Sequence, residues 1–197
     1  MKRFVMKGNI CYSNENRELC IVENGYTVCE NGICVGVFEE LPECYQTFPC
    51  YDYTDKLIIP GFADLHVHAP QYSFRGLGMD LELLDWLNTH TFVEEAKYQE
   101  LAYAEKAYDI FAEDMQKSAT TRACVFGTIH NEATLLLMEK LENAGIKGFV
   151  GKVNMDRNSP DYLCEVSPEK AAEDTEKWIQ DAEKFENIKP ILPPRFI

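Results

Sequence analysis

The stretch Pro60-Gly61-Phe62-Ala63-Asp64-Leu65-His66-Val67-His68 decides the fold prediction. It opens with a turn-forming pair and continues as an apolar run interrupted only by Asp64, His66 and His68. Because side chains alternate between the two faces of a strand, these three polar residues are predicted to share one face. Two imidazoles at this spacing can bind one metal ion at ~2.0–2.1 Å each. The stretch predicts a metal-binding strand, although a His-x-His pair also arises by chance.

Apolar runs alternate with amphipathic helical patterns from Leu57 onward. We predict strands at 57–67, 124–129, 149–153 and 188–192, and helices at 80–89, 94–117, 132–144 and from Ser167. Such alternation indicates βαβ units and a parallel sheet. The sheet is either open and doubly wound or part of a (β/α)8 barrel. No Gly-x-Gly-x-x-Gly follows any of these strands, which removes the main support for a dinucleotide-binding fold.

Helix ends and buried faces follow from residue type. Ser167 is predicted to cap a helix that has Pro168 at its first position, and Gly145 to end the helix before it. Pro190 weakens the last strand prediction, because proline donates no ladder hydrogen bond. Two helices are predicted to bury the following faces: Leu101, Ala104, Tyr108, Phe111 and Met115 on one, and Ala171, Thr175, Trp178, Ala182 and Phe185 on the other.

The first 57 residues are predicted to form a small all-β domain. Two Asn-Gly pairs, Asn24-Gly25 and Asn31-Gly32, separate strand-like runs and are typical of hairpin turns. Six of the eight cysteines lie between Cys11 and Cys50, but no pair has the Cys-x-x-Cys spacing of a structural zinc site. We therefore expect free thiols that pack as small hydrophobic side chains.

The charge balance restricts the partners. The chain carries 19 basic and 33 acidic side chains, a formal net charge of −14. Such a surface repels phosphate backbones and anionic lipids, so nucleic-acid and membrane-surface binding are not expected. No run approaches the ~20 apolar residues of a membrane span, and the N-terminus lacks the apolar middle of a signal peptide. A cytoplasmic location is predicted.

The opening stretch resembles the first motif of the amidohydrolase superfamily, and later segments resemble its guanine deaminase family. These segments are 69–74, 80–87, 119–124, 128–130, 151–156 and 194–196, in the family's order. The resemblance implies an α/β fold: over residues 58–197, the first four strand–helix units of a metal-dependent-hydrolase (β/α)8 TIM barrel. Residues 1–57 resemble the family's small all-β (composite β-sandwich) domain only in general character, not in a specific motif.

The resemblance also implies an activity, the metal-dependent hydrolytic deamination of guanine to xanthine and ammonia. His66 and His68 would be two ligands of a single zinc ion, with zinc preferred over iron. Lys152 ends the third strand, whereas the metal-bridging lysine of binuclear relatives lies on the fourth. Asp64 and His130 are expected beside the ligands rather than on the metal.

Four further positions would form the purine pocket. Gln71 and Arg195 would hold the base, because an amide reads a mixed ring edge and an arginine fork suits the O6 and N7 acceptors of guanine. Trp86 and Phe196 would wall the pocket.

Part of the family's catalytic apparatus is not in this sequence. The family's acid–base residues and further ligands would lie beyond Ile197, so the zinc ligand set is incomplete and the chain alone is expected to be inactive. Its last strand would expose an edge that pairs with a second copy or with a complementing C-terminal half. Alternatives are another amino-purine or chlorotriazine amidohydrolase, and a non-catalytic fragment or interaction subunit.

Overall fold

A computed structural model describes residues 2–194, and the chain divides into two compact units, Met1–Pro60 and Gly61–Ile197. The expected boundary was between residues 57 and 58, and the division lies at Pro60. None of the helices within residues 2–194 is both long enough and apolar enough to cross a bilayer.

The first unit contains a four-stranded sheet in the order β3-β2-β1-β4. The strands are β1 (Arg3–Ser13), β2 (Leu19–Glu30), β3 (Ile33–Phe38) and β4 (Cys50–Ile58). β2 is antiparallel to both β1 and β3, whereas β4 runs parallel to β1. The unit is all-β apart from one short 3-10 turn at Glu43–Tyr45.

The two Asn-Gly pairs have different roles. Asn31 and Gly32 have φ angles of 53° and 80° and connect β2 to β3, so this hairpin prediction is confirmed. The prediction for Asn24-Gly25 is wrong, because β2 continues through the pair. Its register with β1 shifts there, and the Asn24 N–H donates to Asn9 Oδ1 at 3.1 Å. Asn24 therefore uses its positive φ of 51° in a β-bulge rather than in a chain reversal.

The cysteines are only partly as predicted. All eight lie within the described residues and are free thiols. Cys34, Cys44 and Cys50 are exposed and the other five are half-buried, so packing as a small hydrophobic side chain is wrong for the three exposed thiols.

The second unit is built on a parallel sheet in the order β5-β6-β7-β8. Its strands are β5 (Phe62–His68), β6 (Thr120–Phe126), β7 (Lys147–Gly151) and β8 (Ile188–Pro190). A doubly wound sheet reverses its strand order at a switch point, whereas strands that follow one another in sequence are typical of a (β/α)8 barrel. The α/β fold-class prediction is confirmed.

The helices between β5 and β6 differ from the prediction. A helical stretch comprises α1 (Leu83–Trp86), a π-helical turn (Leu87–Thr91), α2 (Phe92–Ala96) and a 3-10 turn (Lys97–Gln99). Glu100 is extended, with φ −83° and ψ 106°, and caps α3 (Leu101–Lys117). The predicted helix over 94–117 is therefore two helices, because the Glu100 carbonyl accepts from Tyr103 and Ala104 and starts a new one. Leu101 is 43% exposed, whereas the other four residues of the predicted face are buried.

The last two helices match their predictions closely. α4 (Asn131–Asn143) is followed by Gly145, whose φ of 78° suits the glycine that commonly ends a helix. α5 (Pro168–Ala182) begins after Ser167, whose side chain accepts a hydrogen bond from the Lys170 N–H at 3.2 Å. The predicted buried face of α5 is confirmed for Ala171, Thr175, Trp178 and Ala182, and Phe185 is also buried but lies three residues after the helix ends.

The cap at Ser167 gives a direct test of the α5 boundary. Ser167→Ala removes the acceptor for the Lys170 N–H and should lower the free energy of unfolding by about 1 kcal/mol. Ser167→Asp keeps an acceptor at the same position and should retain most of the wild-type stability. Urea denaturation followed by circular dichroism measures both changes, and equal midpoints for wild type and Ser167→Ala would show that the cap contributes nothing.

Candidate metal centre

Two imidazoles lie side by side at the carboxyl end of β5. The ring centroids of His66 and His68 are 5.2 Å apart, with an angle of 61° between the ring planes. Two imidazoles that bind one tetrahedral ion through nitrogens at ~2.0–2.1 Å place their centroids about 5 Å apart. The spacing of this pair therefore fits a shared zinc ion, and neutral imidazole is a donor that zinc prefers.

The strand that carries the pair is less regular than predicted. Its register with β6 shifts between Asp64 and Val67, so the strict alternation expected for Asp64, His66 and His68 is interrupted. Asp64 Oδ1 accepts a hydrogen bond from the backbone N–H of His66 at 3.1 Å. The Asp64 carboxylate thus braces the backbone at the irregularity, directly before the first histidine.

Among the described residues, His66 and His68 are the predicted metal ligands that the fold brings together. Within residues 2–194, no group of three or more histidine, cysteine or acidic side chains is arranged to hold a metal ion. Arg195 and Phe196, predicted to contact the purine, lie outside the described residues.

Gln71 lies on a short 3-10 segment, Ala69–Phe74, that follows the histidine pair at once. The segment is held on both sides of Gln71. The Tyr98 hydroxyl donates to the Pro70 carbonyl at 3.4 Å, and the Tyr72 hydroxyl donates to Asp114 at 2.7 Å. Gln71 itself is half-buried. A short, anchored backbone therefore carries the predicted base-reading amide beside the histidines.

A buried carboxylate completes this anchoring. Glu94, 8% exposed, accepts hydrogen bonds from Ser73 at 2.7 Å and from Lys97 at 2.6 Å, and a third from the Tyr103 hydroxyl. Burial by itself would raise the pKa of Glu94, but the hydrogen bonds from Lys97, Tyr103 and Ser73 together outweigh it and hold the pKa below its ordinary value. Glu94 therefore ties the segment after β5 to α2 as a carboxylate.

Trp86 packs against the end of the same segment. Its indole N–H donates to the Leu77 carbonyl at 3.2 Å, and its ring lies 5.6 Å from that of Phe74. Gly78 has a φ of 66°, and a Cβ there would come within 3 Å of both His90 and Trp86. His90 stacks on Phe74 with the ring centroids 6.0 Å apart. These contacts fix the Trp86 ring, and its role in a pocket stays a prediction.

His130 follows β6 and caps α4 through its backbone carbonyl, which accepts from Thr134. Its ring nitrogen Nε2 is buried and has no hydrogen-bond partner among the described residues. Burial, and next the positive charge of Lys152, hold the pKa of His130 below its ordinary value of 6.5, while Glu165 opposes the shift. His130 is therefore kept neutral, and its predicted place beside the ligands stays a prediction.

A buried ion pair after β7 was not predicted. Lys152 is fully buried and donates to Glu165 at 2.7 Å, and Glu165 also accepts from the Met155 N–H at 2.7 Å and from Asn154 at 3.4 Å. The contact closes the loop between β7 and α5. In sequence the two residues look like ordinary surface charges, and only the fold shows them to be partners.

Parallel strands in sequential order, with paired histidines at the end of the first strand, define an α/β protein with a candidate metal centre. The Amidohydrolase family matches residues 57–194, well over half of the sequence. The chain therefore belongs to the amidohydrolase family.

Comparison with individual relatives narrows the family to one kind of deaminase. The chain is 41% identical over 145 residues to guanine deaminase of Rattus norvegicus and 42% identical over 147 residues to that of Dictyostelium discoideum. These alignments cover 72% and 74% of this chain but 32% of each relative, so the chain spans about a third of the curated relatives it matches. It also superposes with a TM-score of 0.92 and 41% identity on a guanine deaminase from C. acetobutylicum with bound guanine, covering 99% of this chain and 46% of that one.

The Lys152–Glu165 pair generates a double-mutant prediction. Lys152→Met leaves the Glu165 carboxylate buried without its cation and should lower the free energy of unfolding by about 3–5 kcal/mol. Lys152→Met combined with Glu165→Gln removes both charges and should recover at least half of that loss. Urea denaturation of wild type, Lys152→Met, Glu165→Gln and the double variant measures the coupling, and strictly additive losses would contradict a buried pair.

His130 generates a pH prediction. Its pKa is lower in the folded than in the unfolded chain, so the folded state binds fewer protons, and stability falls as pH decreases from about 6.5 through the folded-state pKa. His130→Gln is neutral throughout and should flatten the stability profile between about pH 7 and pH 5.5. Denaturation midpoints at a series of pH values measure the slope; the same slope in wild type and variant would contradict a depressed pKa.

Proposed function

We propose that the protein catalyses the hydrolytic deamination of guanine to xanthine and ammonia with one zinc ion that His66 and His68 help to hold. The observation that carries this proposal is the likeness of almost the whole chain to a guanine deaminase that has guanine in its active site. The paired imidazoles and the anchored segment that bears Gln71 agree with it.

The chemistry assigns separate tasks to the metal and to the side chains. Zinc bound at the histidine pair would activate water for attack on the ring carbon that bears the exocyclic amine. Water adds to that carbon, the carbon–nitrogen bond breaks, and guanine plus water become xanthine plus ammonia. We assign the accompanying proton transfers to no residue of this chain, since no His-x-x-Glu follows His68 in the sequence.

Substrate recognition would fall to Gln71 and Arg195. The Gln71 amide offers one acceptor and two donors, which suits a ring edge of mixed character. The Arg195 guanidinium would donate to O6 and N7 of guanine, and O6 distinguishes this base from adenine, which has an amino donor at that position. Trp86 and Phe196 would supply flat, apolar walls, which favour a planar base over a flexible amine.

The remaining partners follow the same proposal. The ligand is a small neutral purine, which the acidic surface does not repel. As macromolecular partner we propose a second copy of the chain or a complementing C-terminal half. We propose a cytoplasmic location for the assembled enzyme.

The test combines metal content with turnover in the protein expressed from its complete gene. We expect about one zinc per active site and ammonia release from guanine. His66→Ala should lose the zinc and lower kcat/KM by more than about a hundredfold, because the remaining imidazole holds the metal weakly. His90→Ala removes an imidazole outside the pair and should retain the zinc.

Other outcomes would change the assignment. Turnover of a different amino-purine or of a chlorotriazine, with guanine inert, would replace the substrate. Full zinc content in His66→Ala would contradict the metal site. Absence of turnover on every amine tested would favour a non-catalytic protein.

A further inference from the structure

An aromatic side chain lies against both imidazoles of the histidine pair. The Phe126 ring stacks on His68 with centroids 4.4 Å apart and planes at 15°, and its centroid lies 4.8 Å from that of His66. Both distances are shorter than the 5.2 Å between the two imidazoles themselves. Phe126 is therefore the ring that the two histidines have in common.

The sheet brings Phe126 to this position. It is the last residue of β6, and its register partner on β5 is His68, the last residue of that strand. Paired residues on neighbouring parallel strands direct their side chains to the same face. On its other side Phe126 pairs with Gly151 of β7, which fixes its strand from both neighbours.

The Phe126 ring is also supported from behind. It packs against a buried apolar cluster formed by Phe92, Val153, Met155 and Leu163. These residues come from α2, from the loop after β7 and from the turn that precedes α5. A ring held by three separate segments has little freedom to tilt, so its flat face is a fixed surface for the His68 imidazole.

A metal ligand needs this kind of support. The outer torsion of a histidine side chain has a broad energy profile, so an isolated imidazole samples many orientations. Neighbouring groups usually fix the ring, and removing them costs metal affinity. We propose that Phe126 is a positioning residue that holds His68 by stacking, and His66 by a tilted ring contact, in the orientation that binds the metal. The inference rests on the proposed zinc site and deepens it.

Two substitutions separate positioning from simple space filling. Phe126→Leu keeps an apolar side chain in contact with the supporting cluster but loses the flat face. Phe126→Tyr keeps the flat ring. Phe185→Leu is the matched control, because Phe185 is buried in a different apolar cluster from the one that supports Phe126.

The experiment titrates the purified protein with Co²⁺ and Zn²⁺ in competition with a chromophoric chelator. Bound Co²⁺ also reports its ligand geometry through its visible absorption spectrum. We expect Phe126→Leu to weaken affinity about tenfold and to change the Co²⁺ spectrum. Phe126→Tyr should keep wild-type affinity and spectrum, and so should Phe185→Leu, even though it is less stable in urea.

Each remaining result is decisive. Wild-type affinity and spectrum in Phe126→Leu would overturn the positioning role. If Phe126→Leu and Phe185→Leu weaken metal affinity equally, the loss of affinity reflects lower protein stability, and the positioning role is also overturned. His66→Ala and His68→Ala distinguish this failure from that of the proposed function: if neither weakens binding, or if wild type binds no Co²⁺, the metal site itself is refuted.

Discussion

The parallel pairing of β5 with β6 is the constraint on which the candidate site depends. Backbone hydrogen bonds align the last residues of the two strands, so that His68 and Phe126 end at the same level of the sheet. The same pairing contains an irregularity between Asp64 and Val67, which the Asp64 carboxylate spans by accepting from the His66 N–H. The position of each imidazole is therefore a consequence of strand register before any side-chain contact is considered.

Two carboxylates, buried at Glu94 and largely buried at Glu165, then hold the segments that leave the sheet. Glu94 gathers three donors around the segment after β5, and Glu165 gathers three around the loop after β7. Each accepts from a lysine as well as from neutral groups, which makes burial of the negative charge tolerable. Loops at the carboxyl ends of parallel strands carry function in such folds, and here ionic hydrogen bonds keep them in place rather than apolar packing alone.

Local signals in the sequence were reliable wherever the deciding contact is local. The cap at Ser167, the stop at Gly145 and the Asn31-Gly32 hairpin depend on residues within one turn of the chain, and each is confirmed. Asn24-Gly25 has the same composition as Asn31-Gly32, but it forms a bulge because Asn9 on the neighbouring strand binds it. The histidine pair was predictable from its spacing of two residues. Phe126 and the Lys152–Glu165 pair were not, since each acts across elements that only the fold brings together.

The buried ion pair after β7 has a consequence for how this sequence can change over generations. A lineage that replaces only Lys152 or only Glu165 passes through a protein with a buried charge and no counterion, which selection against unstable proteins removes. The two positions are therefore open to change together but closed to change singly. Although they lie thirteen residues apart in the chain, we expect these two positions to covary.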